Sequence, residues 1–166
     1  MYVSEKTAIK LLKKGYVVGI ETDTVFGLCV IEKYEYKIYK LKKRDKKKKL
    51  ISMISQFDEQ ITSRKLGREI YKSWPGKVTI IFEKKGKFES YRISGSNSVR
   101  NLCRGVNEPL KTTSANISGQ REVQNDIDFF NTFPSVPLVK KKFCESKSNT
   151  PSTIMLYNRN SILFLR

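Results

Sequence analysis

Histidine is entirely absent from the sequence, and its absence removes several large classes of enzyme at once. Histidine-based catalytic triads and the common zinc hydrolases both depend on that side chain. The chain also lacks the Gly-x-x-x-x-Gly-Lys-Ser/Thr phosphate loop and the Gly-x-Gly-x-x-Gly dinucleotide fingerprint. Any catalysis must therefore use other side chains and another kind of nucleotide site.

Cysteine is scarce, and long apolar runs are missing. Cys29, Cys103 and Cys144 are odd in number and far apart, which supports neither a disulfide framework nor a Cys-x-x-Cys metal site. No run reaches the ~18 apolar residues that a membrane-spanning helix needs, and residues 1–14 resemble an amphipathic helix rather than a signal peptide. We therefore expect reduced thiols, no bound structural metal and a cytoplasmic protein.

Acidic residues are few relative to basic ones. The 16 Asp and Glu residues face 33 Lys and Arg residues, giving a formal net charge of +17. A surface of this kind attracts polyphosphates, either nucleotides or nucleic acids. A lysine-rich composition typical of an AT-rich genome would give the same charge without a binding role. The basic block at 46–49 is accordingly either an RNA-contacting patch or a solvated loop.

The length of 166 residues fits one domain, 1–166, with a real hydrophobic core. Short apolar runs alternate with helical periodicity, which predicts an α/β domain with a mixed sheet. Ser4 is placed to cap the first helix and Gly15 to end it. The remaining patterns predict helices near 34–41, 58–72, 99–106 and 126–130, and strands at 16–20, 50–54, 78–82, 91–93, 152–157 and 161–165.

Two polar segments interrupt this apolar sequence, at 21–28 and 114–119. Their hydroxyls and backbone N–H groups suit an anion-binding pocket together with nearby basic side chains. Thr22-Asp23-Thr24 could equally cap a helix or close a turn, and Ser114-Ala115-Asn116 could be an ordinary Asx turn. Taken alone, these segments leave both interpretations open.

The order of the motifs along the chain is more specific. Thr22 to Leu28, in Thr-Asp-Thr-Val-Phe-Gly-Leu, resembles a signature segment of the YrdC-like threonylcarbamoyl-AMP synthases. Leu41-Lys42-Lys43-Arg44 is similar to the family's Lys-x-Arg, and the segments 74–79, 109–119 and 151–154 are similar to its Trp-Pro-Gly, Ser-x-Asn and late-strand blocks. The five blocks are collinear, and the resemblance extends from about residue 7 to residue 166.

The resemblance implies a twisted mixed sheet flanked by helices, in the compact form without the extra C-terminal domain of longer relatives. It also implies a reaction that joins L-threonine, bicarbonate and ATP into threonylcarbamoyl-adenylate with release of pyrophosphate. A tRNA threonylcarbamoyl transferase complex would then receive the product and modify the adenosine beside the anticodon. Magnesium is expected to accompany ATP.

The resemblance also assigns residues. It implies a catalytic and ATP-binding set of Lys42, Arg44, Ser114 and Asn116, with Arg166 as a further nucleotide contact. For threonine it implies Thr22, Thr24, Arg92, Thr112 and Ser152, with the Arg92 guanidinium suited to the amino-acid carboxylate. Trp74 and Phe26 are expected in the core or the pocket wall. No residue is nominated as general base.

The chain departs from the family pattern at several positions. Proline is usual where Glu21, Asp45 and Ser94 stand, asparagine is frequent at Lys48, and histidine is frequent at Met53. We expect these changes to alter how substrates are held, while the four-residue catalytic set is intact. The alternative function is an RNA-binding module for tRNA or ribosomal RNA on the same scaffold, without turnover.

Overall fold

The computed structural model describes residues 1–57, 72–84, 86–139, 148–158 and 161–165. Within these ranges it contains four α-helices, a short 3₁₀ helix and ten strands. The helices are α1 (Glu5–Lys13), α2 (Tyr36–Lys42), α3 (Asn97–Val106) and α4 (Asp126–Thr132), and the 3₁₀ helix is Glu32–Tyr34. The strands are β1 (Tyr2–Val3), β2 (Val18–Glu21), β3 (Phe26–Ile31), β4 (Ile51–Met53), β5 (Val78–Lys84), β6 (Lys87–Arg92), β7 (Leu110–Ser114), β8 (Leu138–Val139), β9 (Thr153–Asn158) and β10 (Ser161–Phe164).

The described strands form one mixed sheet in the order β1-β8-β2-β3-β7-β4-β6-β5-β9-β10. The pairs β1–β8, β2–β8, β4–β6 and β5–β9 are parallel, and the other neighbours are antiparallel. The predicted α/β class with a mixed sheet is confirmed.

Helices cover both faces of the sheet, as the side chains of β3 illustrate. All six β3 residues are buried. Cys29 and Ile31 pack with α1 and α3 on one face, whereas Phe26, Leu28 and Val30 pack with α2 and α4 on the other. Successive side chains of a strand point to opposite faces, so a strand covered on both sides needs a continuous apolar run.

Helix α1 confirms the predicted signals for its beginning and end. Ser4 lies in an extended conformation, and its Oγ accepts a hydrogen bond from the Thr7 backbone N–H at 3.2 Å. Ala8 and Leu12 are fully buried, and Gly15 follows the helix at a φ of +78°. That left-handed conformation carries little cost for glycine.

Some predicted elements shift or fall elsewhere. The second predicted helix is a 3₁₀ turn followed by α2, and β2 begins two residues later than predicted. Segment 110–114, for which no strand was predicted, is a central strand because β7 pairs with β3 on one side and β4 on the other. The predicted helix at 58–72 lies outside the described residues except for its last position.

In the part of the chain that the structure describes, no helix is both long and apolar enough to cross a membrane.

Candidate active site

The turn between β2 and β3 is closed by the side chain of Thr22. Its Oγ1 donates to the Val25 carbonyl at 2.7 Å and accepts from the backbone N–H groups of Thr24 and Val25, both at 3.1 Å. Thr22 is buried, and its Oγ1 lies 2.9 Å from Thr24 Oγ1. Thr22 therefore closes a turn, which is one of the roles that the sequence left open. The turn fixes the hydroxyls of Thr22 and Thr24 in place.

Arg92, the last residue of β6, is held by three different acceptors. Its Nε donates to the Gly76 carbonyl at 3.0 Å, its Nη1 to Thr24 Oγ1 at 2.9 Å and its Nη2 to Asp23 Oδ1 at 2.7 Å. Only 3% of its side-chain surface is exposed. A guanidinium carries five N–H donors, so the three bonds to described residues leave two N–H groups for a ligand.

Asp23 is the counter-ion of Arg92, and sequence reasoning gave it no role. Burial raises the pKa of the Asp23 carboxyl, but the Arg92 guanidinium and the Ser94 hydroxyl outweigh burial and bring that pKa below its ordinary value. Ser94 Oγ donates to Asp23 Oδ1, so Ser94 takes part in this buried network. The signal available in the sequence was the position of Asp23 between two assigned threonines.

The end of α2 meets the end of β7 at a second polar cluster. Lys42 Nζ donates to the Ser114 backbone carbonyl and, at 2.8 Å, to Asn116 Oδ1, which also accepts from Ser114 Oγ at 2.8 Å. The Ser118 N–H donates to the Lys42 carbonyl at 3.0 Å and ties the two segments together. Three of the four residues that the resemblance assigned to catalysis are therefore in direct contact.

Burial lowers the pKa of Lys42 to about 7, with a further contribution from the nearby Arg44 charge, while Glu122 acts in the opposite direction. The lysine is 1% exposed. Desolvation disfavours the charged form of an amine, which accounts for the direction of the shift.

Arg44 is positioned by the loop that follows it. Its Nε donates to the Lys48 carbonyl at 3.0 Å, and its Nη2 donates to the Lys49 carbonyl at 3.3 Å. Asp45 accepts from the Lys47 N–H at 2.9 Å and tightens the same loop. These loop carbonyls hold the Arg44 guanidinium at the wall of the adjacent cavity.

That cavity has a volume of about 570 Å³, within the usual range for small-molecule sites. Seven of the predicted site residues line it, namely Thr22, Thr24, Arg44, Arg92, Thr112, Ser114 and Ser152. Lys42 and Asn116 do not line it themselves, but both contact Ser114, which does. Arg166 lies outside the described residues.

The other two hydroxyls predicted to contact threonine have protein partners as well. Thr112 Oγ1 donates to the Ile51 carbonyl at 3.2 Å, and Ser152 Oγ lies 2.8 Å from Thr79 Oγ1. Both side chains are therefore oriented before any ligand arrives. Phe26 is buried and lines the cavity, whereas Trp74 is buried in a separate cluster and donates through Nε1 to the Val78 carbonyl.

Several lining residues carried no assignment from the sequence. Lys49 and Glu122 bring opposite charges to the wall, Phe88 brings apolar surface, and Thr79 brings a hydroxyl. Lys49 Nζ also donates to the Phe88 carbonyl at 2.8 Å. These residues reach the cavity through strand pairing and loop folding, for which a single sequence contains no local signal.

Among the described residues, no cluster of three or more His, Cys, Asp or Glu side chains is arranged to hold a metal ion.

Comparison with known proteins identifies the family. The Sua5/YciO/YrdC family model, described as "Telomere recombination", matches residues 10–166. The threonylcarbamoyl-AMP synthase of Baumannia cicadellinicola is 33% identical over 137 residues, covering 70% of this chain and 69% of that protein. The enzyme of the same name from Blochmanniella floridana is 35% identical over 129 residues, covering 65% and 68%. The chain belongs to the Sua5/YciO/YrdC family.

A solved structure agrees on the fold. The crystal structure of P. abyssi Sua5 complexed with L-threonine superimposes with a TM-score of 0.84 at 21% identity. The alignment covers 98% of this chain but 53% of the other, so the chain spans about half the length of that protein. The predicted family and its sheet architecture are confirmed.

Proposed function

We propose that the chain synthesises threonylcarbamoyl-adenylate from L-threonine, bicarbonate and ATP, with release of pyrophosphate. One observation carries the proposal: residues from separate parts of the sequence, including Thr22, Arg44, Arg92, Ser114 and Ser152, meet around one cavity. Relatives that carry the name threonylcarbamoyl-AMP synthase match about two thirds of this chain. Together these findings support the activity and its place as the first step of a tRNA modification.

The cluster formed by Lys42, Ser114 and Asn116, with Arg44 beside it, suits the nucleotide. Attack of a carbamate oxygen on the α-phosphorus of ATP builds negative charge on phosphate oxygens, and fixed cations and donors lower such a barrier. Arg44 can reach phosphate oxygens because its guanidinium lines the cavity. Asn116 Oδ1 accepts from Lys42 Nζ and from Ser114 Oγ, and its Nδ2 donates to the Gln120 carbonyl at 2.8 Å. Because its amide is held in this way, we assign Asn116 to positioning Lys42 and Ser114.

The network around Arg92 suits the amino acid. Two N–H groups of its guanidinium are left to receive the threonine carboxylate after the three protein contacts are made. Thr24, Thr112 and Ser152 supply hydroxyls along the same cavity, and Thr22, whose hydroxyl is used within the turn, holds Thr24 in place beside them. Met53, which is buried and lines the wall, offers no donor where relatives often have histidine, so the threonine side relies on these hydroxyls and on Arg92.

Several further features belong to the same proposal. Magnesium enters as part of the ATP substrate, bound to phosphate oxygens. Arg166 is a further nucleotide contact, and residues 1–166 act as a single domain. The adenylate passes to a tRNA threonylcarbamoyl transferase complex. The reaction takes place in the cytoplasm, where ATP and tRNA are available.

The decisive assay measures pyrophosphate release together with mass detection of threonylcarbamoyl-adenylate. Wild type is expected to form product only when threonine, bicarbonate and ATP are all present. Lys42→Ala and Arg44→Ala should each reduce kcat/KM by about 100-fold or more, as expected for losing a group that stabilises developing charge. Lys40→Ala is the matched control, because Lys40 is exposed on the same helix. Folded wild-type protein that yields no product would rule out the synthase.

A second candidate function is RNA binding, which one observation favours. Lys43, Lys46, Lys47 and Lys48 are all exposed and flank Arg44, which lines the cavity. Such lysines can contact phosphates of tRNA or ribosomal RNA through counterion release. A pure binding module would keep salt-sensitive RNA affinity in Ser114→Ala and Asn116→Ala and would form no adenylate. The enzyme would lose turnover in the same variants.

A further inference from the structure

The amine of Lys42 is enclosed by uncharged partners. Among the described residues, its two hydrogen-bond acceptors are the Ser114 backbone carbonyl and Asn116 Oδ1, and the side chain is fully buried. A neutral amine carries two N–H donors and one lone pair, whereas an ammonium carries three donors. The two contacts match the two donors of the neutral form and leave one position on the nitrogen for a proton.

The charged groups that face Lys42 do not pair with it. Arg44 approaches from the segment after α2, and Glu122 approaches from the segment after β7. Lys42 forms no ion pair with any carboxylate of the described residues. A buried ammonium without a counter-ion is costly, and burial and Arg44 together outweigh Glu122 and bring the pKa of Lys42 to about 7.

We propose that Lys42 is a neutral amine in the free protein above neutral pH and takes up one proton from solvent when a polyphosphate binds against Arg44 and Ser114. This inference rests on the proposed function, because it requires the cavity to receive a nucleotide's phosphates. One proton moves from buffer to Nζ, and no covalent bond changes. The bound phosphates supply the counter-charge that the protein itself lacks.

This device resolves two conflicting requirements of the site. The free protein avoids an unpaired buried charge, and the loaded protein gains a cation where phosphate charge develops during the reaction. Asn116 and the Ser114 carbonyl hold the nitrogen in the same place in either protonation state. Lys42 is therefore assigned as the group whose charge follows ligand occupancy.

The test is isothermal titration calorimetry with inorganic triphosphate, in several buffers of different ionisation enthalpy. The slope of observed enthalpy against buffer enthalpy gives the number of protons taken up. At about pH 8 a group titrating near 7 is roughly 90% neutral, so wild type should take up roughly 0.9 proton more than Lys42→Arg. At about pH 6 the difference should fall to roughly 0.1 proton. Arginine keeps its charge, so the Lys42→Arg reference also cancels the ionisation of triphosphate itself.

A second measurement does not depend on that variant. In wild-type protein with ¹³C-labelled lysine Cε, one resonance should titrate near pH 7, while ordinary lysines stay protonated up to about pH 9. That resonance should be missing in Lys42→Met and should shift its midpoint upward by one unit or more when triphosphate is present.

Each outcome of these two measurements either supports or overturns the proposed proton uptake by Lys42. Triphosphate binding with equal proton uptake in wild type and Lys42→Arg overturns the inference, as does a lysine spectrum without a low-titrating resonance or a failure of triphosphate to bind. Because triphosphate undergoes no reaction, its binding is independent of turnover. Proton uptake without adenylate formation would refute the synthase activity and support the proton uptake by Lys42. Adenylate formation without proton uptake would support the synthase activity and refute the proton uptake by Lys42.

Discussion

Replacing Asp23 by alanine should destabilise the protein far more than a typical surface change. The Asp23–Arg92 pair is almost fully enclosed, with 9% and 3% of the two side chains exposed and an N–O distance of 2.7 Å. Removing one partner of a buried pair leaves the other charge uncompensated, which costs about 3–5 kcal/mol. For a chain of this length the loss corresponds to a fall in Tm of roughly 6–20 °C.

Urea denaturation at pH 7, followed by circular dichroism, measures this loss. The matched control is Glu32→Ala, which breaks the Lys111–Glu32 pair at 2.9 Å, where Glu32 is 67% exposed. That change should cost about 1 kcal/mol or less, because exposed pairs are solvated and screened. A loss for Asp23→Ala no larger than that of the control would refute the reasoning from burial.

The pH dependence of the same variant gives a further check with a definite sign. The pKa of Asp23 is lowered in the folded state, so the stability from its carboxylate is complete above the unfolded value of about 3.9. It is lost as pH falls through the folded value, where wild type becomes protonated. The difference in unfolding free energy between wild type and Asp23→Ala should therefore narrow below about pH 4. A difference that stays constant down to pH 2 would contradict the assignment.

Three other predictions concern core packing, helix capping and the reactivity of two buried cysteines. Gly19→Ala would place its Cβ 2.2 Å from the Phe129 ring, so unfolding free energy should fall by about 1–3 kcal/mol, with partial recovery in Gly19→Ala/Phe129→Leu. Ser4→Ala removes the α1 cap and should cost about 0.5–2 kcal/mol by urea denaturation, whereas an unchanged midpoint would show that the cap is dispensable. Burial raises the pKa of the Cys29 thiol and that of Cys103, the latter to about 12, so in a Cys144→Ser background both should react with a thiol reagent at the rate of unfolding. Labelling as fast as that of free cysteine would contradict their burial.

Local signals predicted those parts of the fold that depend on neighbours in sequence. Ser4, the Ala8 and Leu12 stripe and Gly15 define α1, because capping and helical periodicity act within a few residues. β7 was misread because its residues Lys111, Thr112, Thr113 and Ser114 are mostly polar. Their place in the centre of the sheet depends on pairing with β3 and β4, which come from distant parts of the chain.

Some features of the candidate site were predictable from the sequence, and others depend on the folded structure. The sequence by itself determined which residue types are available, a mixed α/β class, a positive surface and, through its ordered motifs, membership of the family. Tertiary structure alone decided that Asp23 neutralises Arg92, that Ser94 joins that network, and that Lys42 is buried between Ser114 and Asn116 without a carboxylate partner among the described residues. Protonation and charge compensation depend on distance and desolvation, and those quantities exist only once remote segments are folded against one another.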